Sequence, residues 1–376
     1  MAQTPSALPA APANRLAMIE QARRAVLDNG NRSGVPSVAS WIERSWKRCL
    51  AQGHRPQDRV SFNAVSAAAV GRALEANQPL LRAATPVIES LARAMADSGY
   101  FAILTDAQGV VIGVNGPVDH HNRHAQLIAR VGVDLSEQAV GTTAIGATLT
   151  ELQPVWLHRG EHFFEDTGVY SCAGAPLFGP DGQCMGMLDL TGVNMPERPA
   201  LKHLVTQSAQ RIENAVLLAQ AGHLLLRVNW PGHAMGTETD GLVCVDAHGC
   251  ITGTNRHAAH MLGLAGGVPW PHCDDLFAVS HDALCDAARA GRPAAEQPLW
   301  SGLRVQVLPR LHQPTFHVPP SPSVQRPPLL LKDLEEALIR KAVQEARGKV
   351  SEAARALGIS RATVYRKLQR RKPLDD

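Results

Sequence analysis

The stretch YFAILTDAQGVVIGV, Tyr100 to Val114, decides the fold class. Tyr100 to Thr105 is rich in aromatic and branched apolar residues, a composition that suits a pleated, half-buried surface. Asp106-Ala107-Gln108-Gly109 reads as a turn, and Val110 to Val114 returns as a second apolar run. Two such runs around a short Gly-containing turn predict a β-hairpin. Upstream, from about Arg15 to Ala96, the texture is helical: Ala, Leu, Arg and Glu dominate, and Trp41, Ser45 and Cys49 recur at a four-residue spacing before Gly53 and Pro56 supply a stop.

Downstream, strands are predicted at Pro154 to His158, Cys172 to Phe178 and Cys184 to Leu190, with Pro180-Asp181-Gly182 turning between the last two. A long helix from Arg198 to Arg227 closes this region. A second α+β pattern starts at Gly241. Leu242 to Asp246 is a strand, Ala247-His248-Gly249 a turn and Cys250 to Gly253 the return. Asn255 then opens a helix, Arg256 to Leu262, and Leu303 to Leu308 supplies a closing strand. From Pro314 to Pro328 six prolines fall within fifteen residues, the mark of a semi-extended linker. No repeat has the period of a solenoid.

The chain has 376 residues, enough for two or three cores, and is 45% hydrophobic and 19% charged, an ordinary globular balance. No apolar run approaches the roughly 20 residues of a membrane helix, and the Ala/Pro-rich start, Met1 to Ala13, reads as a loose tail without the pattern of a signal peptide. Seven scattered cysteines without a C-x-x-C pair point to reduced thiols and a cytoplasmic location. The net charge of +3 is unevenly divided. Lys332 to Lys372 carries 12 basic against 5 acidic residues, a net of +7, and the remainder carries 25 against 29, a net of −4. A small basic module on an acidic body is the footprint of contact with phosphates.

That module reads as three helices. Leu331, Leu334, Leu338, Ile339, Ala342 and Val343 form one stripe on the first, which Gly348 ends. Ser351 caps a second, Glu352 to Leu357. Gly358 permits a sharp turn, and Ser360 caps a third, Arg361 to Arg371. Two short helices about a Gly-containing turn make a helix-turn-helix. Ala353 and Ala354 are small enough for a close crossing, while Leu357, Ile359, Val364 and Leu368 fill the shared core. Between Arg355 and Lys372 there are seven basic residues and no acidic one. Ser360, Arg361 and Thr363 sit where a recognition helix meets base edges. Arg366 and Lys367 follow one turn later, and Arg370, Arg371 and Lys372 are placed as phosphate anchors.

The run EAARALGISRATVYRKL, Glu352 to Leu368, closely resembles the Fis-type helix-turn-helix that terminates sigma-54-dependent activators. The resemblance implies a dimer paired through the preceding helix, with Ser360, Arg361, Thr363, Arg366 and Lys367 at DNA-contacting positions. The central region resembles a GAF domain of the acetoin-catabolism-regulator type, through Gly132 to Glu137, Gly141 to Gly146, Glu161-His162-Phe163, Ser171 to Pro176 and Gly186 to Gly192. Ser45-Trp46-Lys47-Arg48-Cys49 resembles the preface of the same regulators, and residues 241 to 310 resemble a PAS-type domain.

The expected fold is thus α+β and multidomain. A tail and the start of the helical region (1–35) lead into an N-terminal helical segment (36–96). A GAF-like sensor (97–222, an antiparallel sheet with flanking helices), a smaller PAS-like α+β domain (223–312), the Pro-rich linker (313–328) and an all-α Fis-type module (329–372) follow. One departure from the family is large. Its activators carry an ATPase domain where this chain has only the linker, and no G-x-x-x-x-G-K-[ST] phosphate loop occurs, Gly348-Lys349 being followed by Val350.

The expected function is regulation of transcription without ATP hydrolysis, in a homodimer on double-stranded DNA. A small-molecule effector acts as signal, RNA polymerase is the protein such a regulator addresses, and no membrane is involved. Trp156, His158, His162, Phe163, Phe164 and Cys172 are the candidates for lining the effector pocket, by the rule that such pockets are apolar with a few convergent polar groups. No catalytic residue, metal or cofactor is assigned. Asp119-His120-His121 with His124 has a metal-like composition but follows Gly116-Pro117 as an exposed loop. Two other readings stay open at this point: an architectural Fis-like protein with a vestigial sensor, and a GAF-fold thiol enzyme using Cys172 and His162.

Overall fold

The computed structural model describes residues 12–28, 38–220, 222–264 and 269–312, together with residues 350 and 354. Backbone contacts divide the chain into two units, Met1–His317 and Val318–Asp376. The start of the tail, the Pro-rich linker and nearly all of the helix-turn-helix lie outside the described residues, including Ser360, Arg361, Thr363, Arg366, Lys367, Arg370, Arg371 and Lys372.

The first unit is α+β, with two five-stranded antiparallel sheets. Among the described residues it opens with the α-helices α1 (Pro12–Arg23), continued by a π-helical turn at Arg24–Asp28, α2 (Ser40–Ala51), α3 (Ala67–Ala76) and α4 (Gln78–Ala94). The predicted hairpin follows as β1 (Tyr100–Asp106) and β2 (Val111–Asn115), antiparallel with Ala102 opposite Asn115. Short helices α5 (Arg123–Ile128), α6 (Glu137–Val140) and α7 (Ala144–Glu151) lead to β3 (Val155–His158), β4 (Tyr170–Phe178) and β5 (Cys184–Val193). The order β2-β1-β5-β4-β3 places β5 at the centre.

Alternation along β5 sorts its side chains. Leu188 and Leu190 face one side, where they pack with Leu80, Ala84 and Ile88 of α4. The helix α8 (Leu201–Leu218) joins them through Val205, Ala209 and Ile212. Met187 and Val193 face the other side, toward Trp41, Trp46 and Cys49 of α2 and Ile145 of α7. The four-residue spacing of Trp41, Ser45 and Cys49 is the buried face of α2.

That face docks through polar groups as well as apolar ones. Trp46 is fully buried and donates its indole N–H to the Glu161 carbonyl at 2.9 Å. Ser45 donates to Glu137 at 2.6 Å, and Arg48 clasps the same carboxylate through Nε at 2.6 Å and Nη2 at 2.9 Å. The preface motif and the Glu137–Gly146 stretch are therefore two halves of one joint. Gly146 belongs to it, because a Cβ there would lie 2.6 Å from the Glu137 nitrogen. Gly141 has φ +66°, and a Cβ would lie 2.7 Å from the Phe164 ring.

The sequence reading carries a helix from Arg198 through Arg227, and here the structure corrects it. The helix ends at Leu218, and Leu224–Asn229 is a strand, β6. The run Leu224-Leu225-Leu226 has no period that separates helix from strand. Tertiary pairing decides: β6 is the central strand of the second sheet, flanked by β7 (Gly241–Val245) and β10 (Arg304–Leu311). The edge strands are β8 (Ile251–Thr254) and β9 (Ala295–Pro298). Leu224, Leu226 and Val228 fill the core beneath α9 (Arg256–Leu262) and α10 (His281–Arg289). Asn255 caps α9 by accepting from the Ala258 amide, as expected, and also donates to Asn214 of α8 at 2.8 Å. Leu217 of α8 packs with Leu225, Leu242 and Cys244 of the second sheet, so one helix serves both sheets.

Candidate functional site

Two of the six sequence candidates meet at a buried cavity. On the α2 side of the first sheet a void of about 20 Å³ is walled by Phe62, Ile103, Ile128, Leu135, Ile145, Tyr170 and neighbours. His162, Cys172, Asp189 and Thr191, with Thr143 and Thr167, supply its polar groups. Cys172 and Thr191 face each other across β4 and β5, and Asp189 lies two residues before Thr191 on the same face. Thr191 Oγ1 contacts Cys172 Sγ at 3.3 Å and donates to the Asp189 carboxyl, and Cys172 Sγ lies 3.6 Å from His162 Nε2. His162 Nδ1 turns to the Arg159 carbonyl at 2.9 Å, which orients the ring.

Asp189 is the anomaly of this arrangement. It is wholly buried, and its Oδ1 has no hydrogen-bond partner. Burial pushes its carboxyl up to about 7, against the opposing pull of the Thr191 hydroxyl. A buried carboxyl oxygen without a donor is costly unless something fills the place. Burial also lowers His162 to about 4 and raises the Cys172 thiol well above its ordinary value. The pair rests as thiol and neutral imidazole, not as the thiolate beside imidazolium that a nucleophilic cysteine uses.

The other four candidates lie elsewhere. Trp156 and His158 stand on the α4/α8 side of the sheet, stacked with centroids 6.4 Å apart, and His158 Nδ1 contacts Ser171 Oγ at 2.7 Å. Phe163 and Phe164 pack edge to face at 5.0 Å in the core beneath α2. Phe164 also lines an open surface groove of about 340 Å³, with His54, Asp58 and Asn63. Sequence reasoning missed Asp189, Thr191, Tyr170 and Phe62. The signal for Asp189 was present: it is the lone charge in the apolar strand Met187 to Leu190.

The segment carrying His162 is braced from the N-terminus. Arg23 donates to the carbonyls of Gly160, His162 and Phe163, and Arg15 pairs with Glu161 at 2.7 Å and Glu197 at 2.8 Å. His120 and His121 lie exposed before α5, and His124 is its second residue. Among the described residues one trio, His272, Cys273 and Asp274, brings potential metal donors within 4.8 Å of one another. Both nitrogens of His272 already serve the local turn, Nδ1 accepting from the Asp274 amide and Nε2 meeting the His248 carbonyl. In the helix-turn-helix segment Ala354, read as a close-crossing residue, is buried. No described helix is long and apolar enough to cross a membrane.

Comparison with known proteins follows the same division. A family model described as MimR, N-terminal domain, matches residues 17–214, more than half of the chain. A second, described as Bacterial regulatory protein, Fis family, matches residues 330–370. The chain is 31% identical over 237 residues to the acetoin catabolism regulatory protein of Cupriavidus necator, covering 61% of this chain and 35% of that protein. It is 28% identical over 180 residues to the propane 2-monooxygenase operon transcriptional activator MimR of Mycolicibacterium smegmatis, covering 47% of this chain and 30% of that one. The chain thus spans about a third of the length of these curated relatives. Among solved structures, the E. coli DhaR(N)–DhaL complex aligns with a TM-score of 0.45 at 15% identity, over 72% of this chain and 99% of that one. By the match that runs from α1 through the first sheet to α8, the chain belongs to the family of the MimR N-terminal domain.

Proposed function

We propose that the protein is a cytoplasmic, one-component transcription regulator in which a small neutral effector, bound in the cavity at Asp189, alters DNA binding by the Fis-type helix-turn-helix. In this reading residues 97–222 are a GAF-like sensor, 223–312 a PAS-like domain, 313–328 a linker and 329–372 the DNA-binding module of a homodimer. The observation that carries the sensing half is the unpartnered, buried Asp189 oxygen in a largely apolar cavity. A ligand hydroxyl would supply the missing donor, and the surrounding apolar wall favours a neutral molecule over an ammonium, whose desolvation would be costly. The Fis-family match and the +7 charge of Lys332 to Lys372 support the DNA-binding half. ATP hydrolysis has no part in it, because the sequence contains no phosphate loop.

Footprinting of the full chain on genomic DNA tests the reading. A regulator protects a few defined sites and changes its occupancy when effector is added, and Asp189→Leu abolishes that change while leaving the sites protected. Uniform coating of DNA, or an effector response that survives Asp189→Leu, would refute it.

A further inference from the structure

A void of about 20 Å³ holds one water, which needs roughly 10–15 Å³. An organic effector needs more, so one wall must give way. Most walls are strands β1, β4 and β5, tied by continuous ladders, or the helices α5 and α7. Leu135, Thr143, His162 and Thr167 come from shorter connections, that of His162 being tied down by Arg23 and Arg15. The longest connection is the segment between α2 and α3, residues 52–66, which has no helix or strand of its own. It crosses this face of the sheet and sends one side chain to the cavity, Phe62.

The segment is pinned along its backbone on both sides of that ring. Pro56 O accepts from the Glu165 amide at 2.9 Å, Asn63 O from the Asp134 amide at 3.1 Å, and the Val65 amide donates to Gly132 O at 2.8 Å. Arg130 holds the Phe62 carbonyl at 3.0 Å. The ring itself has only packing to hold it. It is half-buried and meets Tyr170 edge-on, with centroids 6.3 Å apart, while Ser61 and Asn63 on either side are exposed. The open groove lined by Val60, Ser61 and Asn63 brings solvent to the outer side of the same segment.

We infer that Phe62 is the gate and the length gauge of the effector pocket: its ring turns away from Tyr170 to admit the ligand, and its bulk sets the longest ligand accepted. This rests on the reading of the Asp189 cavity as the effector pocket.

The test uses the full chain and the linear alcohols from ethanol to octan-1-ol, with dissociation constants from calorimetry. Each alcohol offers one hydroxyl to Asp189 and an alkyl chain that measures the space. In the wild type, affinity rises about fourfold per added methylene until the chain meets Phe62, then falls. Phe62→Ala and the milder Phe62→Leu move that break to longer alcohols, and Phe62→Trp moves it to shorter ones, so the outcome does not hang on one variant folding. Asp189→Leu weakens every alcohol without moving the break. An unmoved break in all the Phe62 variants, with weakened binding in Asp189→Leu, overturns the gate and leaves the pocket standing. Binding of no alcohol by the wild type, or equal affinities in Asp189→Leu, overturns the pocket and the gate with it.

Discussion

A carboxyl group enclosed by apolar walls keeps its proton longer than one in water, and for Asp189 this sets the sign of a pH effect. Its group is raised to about 7, against roughly 3.9 in an unfolded chain. Below about pH 4 both states hold the proton. Between there and 7 the folded state keeps a proton the unfolded chain has released, so stability falls as pH rises. Above 7 the loss is complete. His162 has the opposite sign: lowered to about 4, it makes stability rise with pH up to its ordinary value near 6.5. The wild-type curve mixes these two with other buried groups, Glu161 among them, so the informative quantity is a difference. Asp189→Asn should gain on the wild type steadily from pH 4 to 7 and then hold a constant offset, measured by urea midpoints. Parallel curves would show that the carboxyl is solvated. A second prediction concerns Arg48, which clasps Glu137, itself 7% exposed. Arg48→Ala leaves that carboxylate without its cation and should cost about 3 kcal/mol, while Arg44→Ala at the exposed end of the cluster should cost under about 1. The sequence points to His162 and Cys172 because they stand in recognisable stretches. It could not show that Asp189 joins them, since that follows from strand register across β4 and β5.

At the scale of elements, the hairpin and α2 were legible for one reason. Each shows its period within a single segment: two runs about Asp106 to Gly109, and a face repeating every fourth residue from Trp41 to Cys49. The strand β6 was not legible, because the apolar run Leu224 to Leu226 suits either a helix end or a buried strand, and its neighbours β7 and β10 make the choice. The short helices α5, α6 and α7 escaped notice because each is only one or two turns long. They are held by side-chain caps from Asn122, Ser136 and Thr143. As a central strand bonded on both sides, Leu224 to Val228 should contain some of the slowest-exchanging amides of the second sheet, whereas a frayed helix end would exchange early. Protection below that of the edge strand β8 would contradict the assignment. Trp46→Ala removes a fully buried indole and its bond to Glu161 O, and should cost about 3–5 kcal/mol. Because α2 carries the segment that holds Phe62, its loosening should also raise exchange across residues 52–66.

At the scale of the molecule, the division of charge and the division of contacts fall at the same place. The acidic remainder is the larger part, the basic module lies beyond the prolines, and the boundary between units at His317–Val318 falls inside the run from Pro314 to Pro328. A chain cut near Pro319 should therefore yield two pieces, each keeping one half of the proposed activity. The N-terminal piece should bind alcohols with the wild-type length dependence and should not bind DNA, its net charge being negative. The C-terminal piece has fewer than sixty residues and is small for a core of its own, so it should fold chiefly as a dimer through the Leu331 to Arg347 stripe. In that piece Arg361→Ala should relax discrimination between operator and random DNA, as loss of a bidentate contact of about 1–3 kcal/mol implies. Arg371→Ala should weaken all sequences alike and make the salt dependence shallower by about one counterion. What the cut must destroy is the link. An effector shifts DNA affinity only through its different affinity for two states of a connected molecule, and two recognition helices must meet half-sites about 34 Å apart. Severed pieces mixed at equal concentration should bind effector and operator independently, with no change in operator affinity on adding alcohol. A response that persisted in the mixture would mean that the signal passes between separate chains and not through the linker.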